Sequence, residues 1–144
     1  MADDNIHIRF VSEWMKHATR ISPEELAGLF EGALTVLWSR THSALGDITV
    51  AAIVDRVLYN AAEKYSALGS LKLDASGINF AEFRHQAGTF NDRELREAIQ
   101  FVLVEFLTVV GNLTAEILTP ALHSELSSVT VKDSRSKQSG EKKL

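Results

Sequence analysis

A helix that is apolar over more than half its circumference leaves few folds open to a chain, and residues 95–126 spell one out. The later part of that stretch, residues 101–126, reads FVLVEFLTVVGNLTAEILTPALHSEL. On a wheel with about 100° per residue, Leu95, Ile99, Val102, Phe106, Val109, Leu113 and Ile117 form one apolar seam. Leu103, Val104, Leu107, Leu118 and Leu122 cover the adjoining side. An ordinary surface helix carries a stripe of only about 100°. The remaining arc holds Glu105, Thr108, Asn112, Glu116, Thr119 and His123, interrupted by Phe101. An acid at the centre of a spanning helix costs about 3 kcal/mol against insertion, so the stretch does not read as a membrane span.

Two uses remain for so wide an apolar arc. One seam belongs in the core of a helical bundle, and the other either joins that core or meets a second copy of the chain. An uncovered seam would be an exposed patch of the kind that marks interaction sites. The expectation is a homodimer with Val104, Leu107, Leu118 and Leu122 on the outer seam. Leu95, Ile99, Val102, Phe106 and Leu113 then lie in the protomer's own core. Pro120 interrupts the pattern, removing a backbone donor and crowding the carbonyl of Glu116, which predicts a kink or an end to the helix there.

The rest of the chain supplies the other helices. Phe10, Trp14, Ala18 and Ile21 recur at helical spacing, with Asp3 or Asp4 as the cap; Ile6, Ile8 and Phe10 also allow a short extended start. Ser22-Pro23-Glu24-Glu25 carries an N-cap serine, a proline in the first turn and a capping-box glutamate. The helix it opens carries Leu26, Phe30, Ala33 and Leu37, and Gly46 can end it. A third helix reaches about Tyr65, with Val50, Ile53, Val54, Val57, Leu58 and Ala61 on one face and Asp55, Tyr59 and Glu63 opposite. In SLKLDASGINF, two short alternating arms flank Asp74-Ala75-Ser76-Gly77, whose turn chemistry fits a small hairpin within 70–80. A short helix over 80–86 follows, and Asn91 or Asp92 caps the last one. The fold class expected is all-α, a compact bundle with a long, mostly buried C-terminal helix and at most that hairpin as strand.

Length and charge set the remaining bounds. The 144 residues suit one domain, expected over 1–127, with 128–144 as a disordered, basic tail. Residues 127–144 carry five basic and two acidic side chains, a net +3, so the remaining residues hold −7 of the overall −4. An acidic body argues against a nucleic-acid surface. The chain has no cysteine, which removes disulfides, thiolate metal sites and cysteine nucleophiles. With an acidic, leaderless start, this fits a cytoplasmic setting.

Motifs that carry chemistry are sparse. Glu13 and His17 lie four apart, and Glu82 and His85 three apart. The second pair has the Glu-x-x-His spacing of di-iron bundles, but those need a second such motif, which is absent. No metal and no cofactor is therefore expected. The best constellation is Glu105, Asn112, Glu116 and His123, which recur at seven, four and seven residues and would share a helix face. They read first as the wet side of a buried helix and second as a polar ligand stripe. The function that follows is a non-catalytic helical interaction or regulatory protein, a homodimer with an unidentified protein partner, and more a binder than an enzyme. A small-molecule sensor or enzyme with a pocket around Trp14, Trp38, Tyr59 and Tyr65 is the alternative. A helix-turn-helix over residues 26–65, turning at Ser43–Asp47, is weaker, because only Arg56 and Lys64 offer charge to phosphates.

Overall fold

The computed structural model describes residues 5–18, 20–74 and 77–129. The basic segment expected to be a disordered tail lies, from residue 130 onward, outside the described residues. So do Asp3 and Asp4, the expected caps of the first helix. Among the described residues there are six α-helices and one two-stranded hairpin, as the all-α reading required.

The first element among the described residues is α1 (Ile6–Met15), which is helical from Ile6 rather than extended. Asn5 is its cap, its side-chain oxygen accepting from the amides of His7 at 2.7 Å and Ile8 at 3.3 Å. A 3₁₀ turn, Lys16–Ala18, leads away from it. Ser22 and Glu25 then form a reciprocal capping box, both bonds 3.1 Å, and with Pro23 in the first turn they open α2 (Pro23–Leu45). Gly46 alone separates α2 from α3 (Asp47–Lys64), with φ 88° and ψ 170°, a region that is almost exclusively glycine's. That single residue replaces the broader turn expected over Ser43–Asp47.

After a 3₁₀ turn at Ser66–Ser70, β1 (Lys72–Asp74) pairs antiparallel with β2 (Gly77–Asn79), Leu73 opposite Ile78. Next comes α4 (Ala81–Gln86), which brings Phe83 against Phe30 of α2. Phe80 and Phe90 complete an aromatic cluster there, its neighbouring ring centroids 5.5–6.4 Å apart and tilted or edge-on. The central element is α5 (Asp92–Leu113), capped by Asn91. It packs against α1, α2, α3 and, at its end, α6 (Thr119–Ser127).

The long C-terminal helix expected over 92–126 is two helices, and the break comes well before Pro120. At Leu113 the chain enters a Schellman turn: the Glu116 amide bonds to Gly111 O at 2.7 Å and the Ala115 amide to Asn112 O at 3.4 Å. Ala115 and Glu116 both take left-handed backbone, φ 53° and 64°. Pro120 then sits in the first turn of α6, where its missing N–H costs nothing. The turn redirects the chain onto α2. Arg40 meets Glu125 at 3.7 Å, and Val129 comes within 3.4 Å of where a Cβ on Gly32 would lie, so α6 runs antiparallel to α2.

This redirection corrects the two-seam picture. Leu107 and Leu122, expected on an outer seam, are buried in the protomer's own core at 0% and 1% exposure. The surrounding helices already cover these two positions of the arc that the wheel assigned to a partner, and leave Val104 and Leu118 half-buried. Leu113, expected inside, is 61% exposed, because the helix ends there and its side chain outruns its neighbours.

Candidate functional site

Where α1, the α5–α6 turn and α6 meet, three ionisable side chains form a chain. His7 sits on the inward face of α1, in phase with Val11, Trp14 and Ala18, and is 2% exposed. Its Nε2 lies 3.2 Å from Oε1 of Glu116, and its Nδ1 lies 3.0 Å from Nε2 of His123. The ring centroids of the two histidines are 5.2 Å apart and edge-on at 87°. That separation exceeds the N···N distance by about two ring radii, so the rings meet end to end, as a hydrogen bond requires.

Each member is held by local structure. The Schellman turn throws the Glu116 carboxylate back over the last turn of α5, where Gly111 leaves room: a Cβ there would fall 2.6 Å from Oε1. The Thr119 hydroxyl donates to the same oxygen. Phe10, one turn after His7 on α1, stacks on the His123 ring at 4.0 Å and 17°. The Asn5 side-chain amide donates to Thr108 Oγ1 at 3.3 Å, fixing the start of α1 on α5.

The electrostatics follow from these contacts. The Thr119 hydroxyl, and then the charge and hydrogen bond of His7, hold the Glu116 carboxyl below its ordinary value against partial desolvation. Burial, and then the proximity of His7, push His123 below its ordinary value, with Glu116 opposing. The side chain of Glu116 is 48% exposed, so water reaches the chain at its carboxylate end.

Of the four stripe residues Glu105, Asn112, Glu116 and His123, only the last two belong to this site. Glu105 is half-buried on α5 and Asn112 is exposed at its end. Their common face depended on one continuous helix, and the turn at 114–118 removes it. The linking residue, His7, is not legible as a site residue by motif; its one signal is a histidine in register with an apolar stripe. His7 uses its two ring nitrogens in opposite directions, so Glu116 and His123 do not converge on one point. Among the described residues no group of three or more His, Asp or Glu could hold a metal ion. The Glu13–His17 and Glu82–His85 pairs do not join it.

The aromatics offered for a ligand pocket are dispersed. Trp14 lines a groove of about 280 Å³ with Phe10, Glu13, His17 and Ser127, whereas Trp38 lines a separate one of about 100 Å³ beside the hairpin. Tyr65 belongs to a third and Tyr59 is exposed. That third groove, about 370 Å³, runs between α1 and α5 and is lined by Ile8, Tyr65, Glu97, Gln100, Phe101 and Val104. Of the expected contact residues, Val104 and Leu118 remain half-buried. No family model matches the chain, and neither a curated protein nor a solved structure matches it. No helix among the described residues is long and apolar enough to cross a membrane.

Proposed function

We propose that this protein is a non-catalytic helical interaction module that acts as a homodimer, paired through the groove between α1 and α5. The observation that carries the reading is the apolar lining of that groove. Ile8, Tyr65, Phe101 and Val104 stay partly open to solvent, with no described element laid over them. Two-fold pairing sets the same patch against itself, so the rim must carry both charge signs. Lys64, 4.9 Å above the Phe101 ring, and Glu97 supply them. An apolar centre with aromatic anchors and a polar rim is the usual build of such surfaces. The acidic body and the cysteine-free composition suit a cytoplasmic partner-binding role.

Two variants test this reading together. Val104→Glu places a charge at the centre of the proposed contact while leaving the protomer's core intact, so a folded monomer is expected. Leu107→Glu buries an unpaired charge among α5's neighbours and should unfold the chain instead. Circular dichroism with size-exclusion chromatography reads both. A Val104→Glu protein with unchanged elution would contradict the assigned face.

A small-molecule sensor is the second reading. It rests on the groove of Phe10, Trp14 and Ser127, whose 280 Å³ falls just under the roughly 300–1,000 Å³ of ligand pockets.

A further inference from the structure

The chain of Glu116, His7 and His123 joins three separate elements, and its hydrogen-bond arithmetic depends on how many protons it holds. With the carboxylate charged and both imidazoles neutral, His7 Nε2–H donates to Glu116 and His123 Nε2–H donates to His7 Nδ1. One added proton breaks nothing. His7 then carries both ring protons, donating to Glu116 on one side and to His123 Nε2 on the other, with its cation against the carboxylate. A second proton has no such place. Both facing nitrogens, 3.0 Å apart, would carry hydrogens, with no acceptor between them and two like charges, one on a ring only 2% exposed.

We propose that these three residues form a one-proton latch that docks the first turn of α1 onto the α5–α6 turn and α6, and that the second proton opens it. The movable part is defined by the other tethers. Beyond the latch, the start of α1 has the Asn5–Thr108 bond, and its neighbours Ile6 and Ile8 are 46% and 38% exposed, so little apolar burial holds it. Further along, Ser12 accepts from Gln100 at 2.8 Å, Trp14 donates to Val129 O at 2.7 Å, and the Arg96 guanidinium donates to Ala18 O. Those bonds involve no titrating histidine and keep the second half of α1 in place. His123 rides on α6, whose Leu122 and Leu126 are buried. Opening therefore releases the first half of α1. The ionisable groups acting on His123 are His7 and Glu116, those acting on Glu116 are His7 and His123, and Phe10 covers one face of the His123 ring. None of the three latch residues lines the groove of Ile8 and Val104, so the latch needs no second copy of the chain, but Ile8 rides on the released half of α1 and opening moves that wall of the groove.

Amide hydrogen exchange on the full chain tests it, corrected for the intrinsic effect of pH. Between about pH 7.5 and about pH 5, the interior amides of residues 9–11 should lose protection. The loss should reach up to about tenfold per pH unit once the second proton is being taken up. Amides of α5 should not change. His123→Gln keeps an amide donor for His7 Nδ1 and cannot take a proton, so its α1 should stay protected throughout. Histidine ring resonances of the unaltered chain supply a second readout: the His123 ring should take up its proton over the same range in which α1 loses protection. Constant protection of α1 across this range, acid sensitivity that persists in His123→Gln, or a His123 titration that does not coincide with the loss of protection would each overturn the latch.

Discussion

Single residues carry the bends in this molecule, and two of them make opposite predictions. Gly46 occupies backbone that other residues avoid, so Gly46→Ala should destabilise the fold by about 1–3 kcal/mol. Ala115 holds left-handed backbone at the position where Schellman turns usually place glycine. Ala115→Gly relieves about 1–2 kcal/mol of steric cost and gives back about 0.4–1 kcal/mol through the looser unfolded chain. A small gain in stability is expected, and chemical denaturation checks both variants. At the same scale, the two perturbed groups set a pH dependence. The folded value of His123 lies below its ordinary 6.5, so the folded state binds fewer protons and stability falls as pH drops below 6.5. The Glu116 carboxyl also lies below its ordinary 4.5, adding a second loss as pH falls below 4.5 toward its folded value. Melting temperatures measured across acid pH should decline through both windows, and Glu116→Gln should flatten the lower one. A melting temperature that rises on acidification would contradict both assignments.

At the scale of elements, what the sequence made legible is what local chemistry dictates. The Ser22–Glu25 box, the Gly46 stop, the Asn91 cap and the inward face of α3 were all readable, because each depends on residues within a turn or two of one another. The break after Leu113 was not. It rests on an alanine and a glutamate in left-handed backbone, and neither residue advertises that conformation. Everything that assumed helical continuity through 114–118 failed with it: the shared face of Glu105, Asn112, Glu116 and His123, the interior place of Leu113, and the outer place of Leu122. Leu107 failed for another reason, since a helical wheel shows which side is apolar but not how many neighbours will cover it. His7 reaches its partners across more than a hundred residues of chain, a separation no local pattern encodes. The packing of α5 gives its own prediction. Leu107→Ala should cost about 2–5 kcal/mol as a cavity at a fully buried site, whereas Val104→Ala, half-exposed, should cost far less. Equal losses at the two positions would mean that α5 is not oriented as described.

For the whole molecule, the bundle closes around α5 on most sides and leaves the strip of Ile8, Tyr65, Phe101 and Val104 partly open. Of the other large exposed apolar side chains, Ile6, Ile48 and Leu113 sit at helix ends, Ile117 in the turn between α5 and α6 and Tyr59 on α3, and none of them lines that strip. Scattered exposed residues of that sort are normal for a protein surface, whereas a lined groove on a central helix is not. The proposed self-association through the groove would account for Phe101 and Val104 staying partly open on α5 beside the acidic Glu97 and Glu105. The most direct test is sedimentation equilibrium of the full chain from about 1 μM to about 1 mM, a range that spans modest to weak affinities. The apparent mass should climb from the 15.9 kDa of one chain toward twice that value, and Val104→Glu should hold it at 15.9 kDa. An unaltered chain that stays at 15.9 kDa throughout would contradict the dimer.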